Sequence, residues 1–204
     1  DTHAHLNDPG YTWREDYEHG TAAAAVGGFT TIIDMPMQNK PALTDGNIFA
    51  AKLAHVAPHA YVDYCFWGGL VDDSFSALKV LDQKGCVGFI SFIGPVSPDY
   101  VTLNMGQARE ALQILRGFSA RAGFHCEDYS IIKYEEQRAK GKEETTWQDF
   151  LDSRPVEAEL IATQSILALA GALQAKVPIC HVSHPQVAEA IRTAKPKGVD
   201  VTAQ

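Results

Sequence analysis

The chain has 204 residues, of which 46% are hydrophobic, so it is long enough for one domain with a buried core. Seventeen Lys and Arg stand against 25 Asp and Glu, a formal charge of -8, which leaves no basic footprint for nucleic acid. Plentiful Val, Ile, Leu and Phe exclude disorder, and no apolar run approaches the roughly 18 residues that would suggest a membrane span.

Asp1 to His5 reads as the tail of a strand. Trp13 to Val26 carries TAAAA, small strong helix formers. Phe29 to Met35 is β-branched and bounded by Gly28 and Pro36, so it predicts a strand. Asn47 to Val56 predicts a helix, Tyr61 to Phe66 a strand, Ser74 to Lys84 a helix and Val87 to Phe92 a strand. Gly106 to Gly117 (helix) and Ala122 to Cys126 (strand) follow. Asp128 to Ser153 is rich in Glu and Lys and reads as a solvated helix or loop on the rim. Val156 to Ala175 predicts a helix, Val177 to Val182 a strand, Pro185 to Lys195 a Pro-led helix and Val199 to Ala203 a last strand. Alternating apolar strands and helices argue a parallel α/β sheet, and about seven strands fit a TIM-type (β/α)8 barrel better than a short open sheet. No Gly-rich nucleotide loop follows any strand.

The four cysteines, Cys65, Cys86, Cys126 and Cys180, follow no zinc-ribbon or secreted pattern, so a reducing, cytoplasmic setting is expected. His3 and His5 sit two apart, and in a strand such residues share a face, so both imidazoles can reach one ion. A chance terminal pair is the competing reading. His125 and His181 lie near the carboxyl ends of two other predicted strands, the end of a barrel where active sites are built, with Asp34, Glu127 and Asp128 as nearby carboxylates. His19, His55 and His59 read as surface residues, and His184 stays open.

Several motifs in order resemble the cyclic amidohydrolases, the group of allantoinase, hydantoinase/dihydropyrimidinase and dihydroorotase. They are Asp1-Thr2-His3-Ala4-His5, Asp8-Pro9-Gly10, Gly27-Gly28-Phe29-Thr30-Thr31, Asp34-Met35-Pro36, Gly88-Phe89, His125-Cys126-Glu127, Ser153-Arg154-Pro155 and Cys180-His181-Val182-Ser183. Within that group the last three look most like allantoinase. The resemblance covers essentially the whole chain. It implies hydrolysis of a cyclic amide by a barrel using one or two divalent ions, zinc first among them, which polarise a carbonyl and acidify a water. It also implies His3, His5, His125 and His181 as metal ligands, and a small cyclic amide such as allantoin or a hydantoin as substrate, with homo-oligomers common among relatives. Asp34 and Arg154 are the candidate substrate-binding residues; Asp34 equally suits a cap on the turn before Pro36, and Arg154 a rim ion pair.

The pattern also departs from the family. Ile90 follows Gly88-Phe89 where the resemblance implies a carbamylated lysine bridging two ions. Tyr11, Gln38 and Gln204 replace an expected Arg, Asn and Glu. No residue of the chain is assigned as the catalytic base, because the family's eighth-strand aspartate would fall after Gln204. Residues 1–204 are therefore expected to be a partial (β/α)8 catalytic domain with the eighth strand missing, holding one ion or none. Two readings follow: an impaired allantoinase-like enzyme, or an inactive relative serving as scaffold or partner subunit.

Overall fold

The computed structural model describes residues 1–98, 100–142 and 145–204. Glu143 and Glu144, inside the expected Asp128–Ser153 insertion, lie outside the described residues. The chain forms two compact units, one of Asp1–Ile90 with Ser97–Val101 and one of Ser91–Val96 with Thr102–Gln204.

In the first unit, helix α1 (Tyr17–Val26) starts later than Trp13 because Asp16 caps it, accepting the His19 backbone N–H at 2.7 Å. Strand β1 (Thr31–Asp34) is shorter than the apolar run that predicts it, and Phe29 stays exposed. Helix α2 (Gly46–Val56) is capped by Asp45, which accepts from Asn47 and Ile48. Strand β2 (Asp63–Phe66) pairs with β1 in parallel, from Thr31 opposite Asp63 to Asp34 opposite Phe66. The short strand β3 (Gly68–Gly69), which has no sequence signal beyond its two glycines, pairs in parallel with the start of β4 (Phe89–Ile93). A Cβ on Gly68 would lie 2.7 Å from the Phe89 ring, so this close approach requires glycine. The expected Ser74–Lys84 helix is split into a 3-10 turn, Asp72–Ala77, and helix α3 (Leu78–Lys84), which ends at Gly85 with φ 108°. Tyr17, Ile32, Leu43, Leu78, Phe89 and Ile90 are among the fully buried side chains.

In the second unit the end of β4 leads to helix α4 (Met105–Arg116), closed at its start by an Asn104–Gln107 capping box. Strand β5 (Ala122–Cys126) matches its predicted range. The insertion forms helix α5 (Tyr129–Lys140), capped by Asp128, and helix α6 (Trp147–Asp152), capped by Thr146. Then come helix α7 (Val156–Leu173), strand β6 (Val177–Ile179), helix α8 (Pro185–Ala194) and strand β7 (Val201–Ala203). The strand order is β4-β5-β6-β7, with the β5–β6 and β6–β7 pairs parallel. The helical stretch 147–173 is the one among the described residues that is long and apolar enough for a bilayer by composition. Its α7 part buries Ala158, Ala162, Thr163, Ile166, Leu167 and Ala170 and packs on β5 and β6.

Candidate functional site

The histidines lie beside an isolated bridge to β1 in the first unit and at the ends of β5 and β6 in the second. In the first, Ala4 pairs with Asp34 in parallel: its N–H donates to Ile33 at 3.0 Å and its carbonyl accepts from Met35 at 2.8 Å. The Asp1–His5 segment, expected as the tail of a strand, runs alongside β1 through a single isolated bridge at Ala4 and forms no strand of its own. His3 and His5 flank Ala4, both half-buried, with ring centroids 5.3 Å apart.

Asp34 is fully buried in the same unit. Its Oδ1 accepts from the Leu6 N–H at 3.1 Å, and its Oδ2 accepts from Tyr17 Oη at 3.1 Å and from Lys52 Nζ at 2.6 Å. Burial, reinforced by the Asp34 charge, pushes the Tyr17 phenol far above its ordinary range. Lys52 also donates to Asn39 Oδ1 at 2.8 Å, and Asn39 Nδ2 donates to the carbonyls of Met35 and Met37. Sequence reasoning passes over Lys52, although its helical phase with the buried Phe49 and Val56 puts it on the inner face of α2. It also reads His55 only as a surface residue. The ring is half exposed, yet its Nε2 lies 2.7 Å from Oδ1 of the buried Asp8. A cleft of about 320 Å³ opens between the segments that follow β1, β3 and β4, lined by Lys40, Thr44, Val71, Asp73 and Tyr100.

In the second unit, His125 sits on β5 with Cys126 buried beside it, and exposed His181 follows β6 after buried Cys180. On β5 alternation puts the Cys126 thiol and the His125 imidazole on opposite faces. His125 Nδ1 lies 3.0 Å from His181 Nε2, and His125 Nε2 lies 2.9 Å from Glu127 Oε2. The Phe92 ring stacks on His125 at 4.8 Å between centroids. His181 has φ 36°, a left-handed backbone unusual for a residue with a Cβ, and Glu159 fixes the turn by accepting from Ser183 N at 2.9 Å and Ser183 Oγ at 2.5 Å. Burial raises the Glu127 carboxyl, but the hydrogen bond and charge of His125, with Arg154 and His181, outweigh it and hold the group below its usual range. Arg154 Nη2 donates to Glu136 at 2.6 Å, its Nη1 donates to Ser153 Oγ at 2.9 Å, and its guanidinium lies 4.6 Å from the Phe150 ring centre. His184 caps α8, accepting from Gln186 N at 3.2 Å.

The nitrogen spacing suits a metal. Two nitrogens each 2.0–2.1 Å from a tetrahedral ion sit roughly 3.3 Å apart, close to the 3.0 Å between His125 and His181. The Glu127 carboxylate on the far nitrogen is the outer partner that metal-ligating histidines normally have. Within neither unit do three or more His, Cys, Asp or Glu side chains of the described residues gather around one point. The histidine donors of each unit come as a pair, His3 with His5 and His125 with His181.

No protein-family model matches the chain. The allantoinases of Salmonella paratyphi B and Salmonella newport are each 34% identical to it over 209 aligned residues, which cover 100% of this chain and 46% of the relative. The structure superposes on the L-hydantoinase (dihydropyrimidinase) of Arthrobacter aurescens with a TM-score of 0.96 at 28% identity, over 100% of this chain and 45% of that one. A D-hydantoinase crystal structure gives 0.85 at 30% identity, with the same coverage. The chain belongs to the cyclic amidohydrolases. Its strands and helices are those of that family's TIM-type barrel, and it spans about half the length of the curated relatives it matches. Ile90, where the family resemblance calls for lysine, is a buried apolar residue, 2% exposed.

Proposed function

We propose that the protein carrying this chain hydrolyses a cyclic amide, opening the ring of allantoin or a related hydantoin, with a divalent metal, zinc, held by histidine. The observation that carries the reading is His125 Nδ1 facing His181 Nε2 while His125 Nε2 is engaged by Glu127. His125 and His181 form one ligand pair, and His3 and His5 another. A divalent ion at such a site supplies Lewis-acid polarisation of the ring carbonyl and an acidified water. The chain's own residues then do the positioning. Glu127 orients His125, Phe92 holds the ring from its face, and Glu159 fixes the turn that carries His181. The cleft beside Lys40 and Tyr100 is of a size for a small ring, and a polar substituent is a suitable partner for Lys40. Asp34 and Arg154, both engaged by other side chains, act on substrate through the loops they hold. All four cysteines are free, which supports a reducing, cytoplasmic setting.

Ile90 favours a single ion and slow turnover, since it offers no donor to offset the repulsion of two cations about 3.5–4 Å apart. The same residue is the one feature that favours the second reading, an inactive scaffold or partner subunit of an oligomer. Zinc titration of the metal-free protein, followed by assay of ring opening on allantoin and hydantoin, tests the proposal. Zinc binding near one equivalent with measurable ring opening supports it. Binding without turnover favours the scaffold, and no zinc binding overturns the metal reading.

A further inference from the structure

The Asp34–Lys52 pair touches none of the proposed reacting groups, yet both side chains are buried, at 0% and 2% exposure. Burying such a pair is rarely stabilising, because loss of hydration rivals the attraction and apolar residues of similar volume often do as well. Its use is seen in what it grips. Asp34 Oδ1 holds the N–H of Leu6, the residue after His5, while the Asp34 backbone pairs with Ala4, the residue before it. Lys52 reaches Asn39, which ties down the carbonyls of Met35 and Met37 just past β1. The Lys52 ammonium lies 5.2 Å from the Phe66 ring centre and 5.8 Å from that of Tyr17, so it is enclosed by aromatic faces.

We propose that the buried Asp34–Lys52 ion pair is a positioning device that locks Leu6, and through it His5, against the end of β1 and so sets where the His3 and His5 imidazoles point. A charge-assisted, directional acceptor at Asp34 fixes the segment more tightly than apolar packing does. The inference rests on the metal reading only in its last readout.

The test compares two double variants by amide exchange at Leu6, by histidine-ring NMR and by zinc titration. In Asp34→Leu/Lys52→Met the grip is replaced by apolar bulk. Leu6 exchange should rise about 100-fold, the His5 ring resonances should move or broaden, and zinc held by the His3–His5 pair should bind more weakly. In Asp34→Asn/Lys52→Gln the hydrogen-bonding groups remain without charge, and all three readouts should fall between those of wild type and of the apolar variant, because a neutral hydrogen bond is about half as strong as a charge-assisted one. Wild-type values in the apolar variant, or equal perturbation by both variants, overturn the proposal. If the apolar variant does not fold, native-state exchange of the unaltered protein decides. A Leu6 amide that opens together with Met35 supports the lock, and one that exchanges 100-fold faster overturns it. A wild-type protein that binds no zinc while Leu6 and His5 respond as described removes the metal reading and leaves the positioning role standing.

Discussion

His125 Nδ1 and His181 Nε2 face each other at 3.0 Å, and the far nitrogen of His125 is engaged by Glu127. Each neutral imidazole has one donor and one acceptor nitrogen. With His125 Nε2–H donated to Glu127, its Nδ1 is the acceptor and His181 Nε2–H the donor. A divalent ion held by the two rings would take the place of that one proton.

That arrangement makes Glu127 measurable at a distance from the ion. Glu127→Gln should weaken zinc binding about 10–100-fold in a chelator competition, because the carboxylate raises the basicity of His125 and fixes its orientation. His181→Ala should weaken it at least as much. Unchanged affinity in both variants would show that zinc is held elsewhere.

Tyr17 donates to a buried carboxylate, so Tyr17→Phe should lower stability by about 1.5–3 kcal/mol, the range for a hydrogen bond to a charged group. Denaturant unfolding measures this. The phenol should also stay protonated through the pH range where exposed tyrosines ionise, near pH 10, since burial and the Asp34 charge both raise it. Ultraviolet titration of wild type against Tyr17→Phe should therefore show equal tyrosinate absorbance up to that pH.

Ile90→Lys tests the departure at β4. Ile90 is buried, and a lysine there would carry its charge out of water. Its folded pKa would fall below the unfolded value of about 10.4. The destabilisation should be largest at neutral pH and shrink as pH rises past the unfolded value, where both states are neutral. Urea midpoints at pH 7 and above pH 10 measure it. A midpoint difference from wild type that does not narrow at high pH would mean that the new lysine reaches water.

The order of strands and helices was legible because buried parallel strands read as short apolar runs between breakers, and β5 even kept its bounds. Ends moved where caps decided them, as when Asp16 delays α1 to Tyr17. β3 was not legible, since two glycines carry no periodicity and the need for glycine at 68 shows only once the Phe89 ring lies against it. The histidines announced themselves by type and position at strand ends. The partners that hold them did not. Lys52 lies 18 residues from Asp34 and looks like any helical lysine until the phase of Phe49 and Val56 is counted. Arg154 could be read either as an oxyanion binder or as a rim ion pair, because only the fold brings Glu136 to it.

Arg154 and Glu136 give a pH-dependent contribution whose sign follows from the direction of the shift. The hydrogen bond from Arg154, with lesser help from Lys140, holds the Glu136 carboxyl below its usual range. A carboxyl depressed in the folded state adds stability above its unfolded pKa, near 4.3, and loses it as pH falls through the lower folded value. Both side chains are partly exposed, so the pair is worth no more than about 0.2–1 kcal/mol. Arg154→Leu should therefore lower the urea midpoint at pH 7 by that small amount, with the gap closing once Glu136 is protonated in both states. The same substitution separates the structural role from a substrate role. If Arg154 serves only to pin α5 through Glu136, Glu136→Gln should match the effect of Arg154→Leu on KM as well as on stability. A rise in KM seen with Arg154→Leu and not with Glu136→Gln would assign the guanidinium to the substrate.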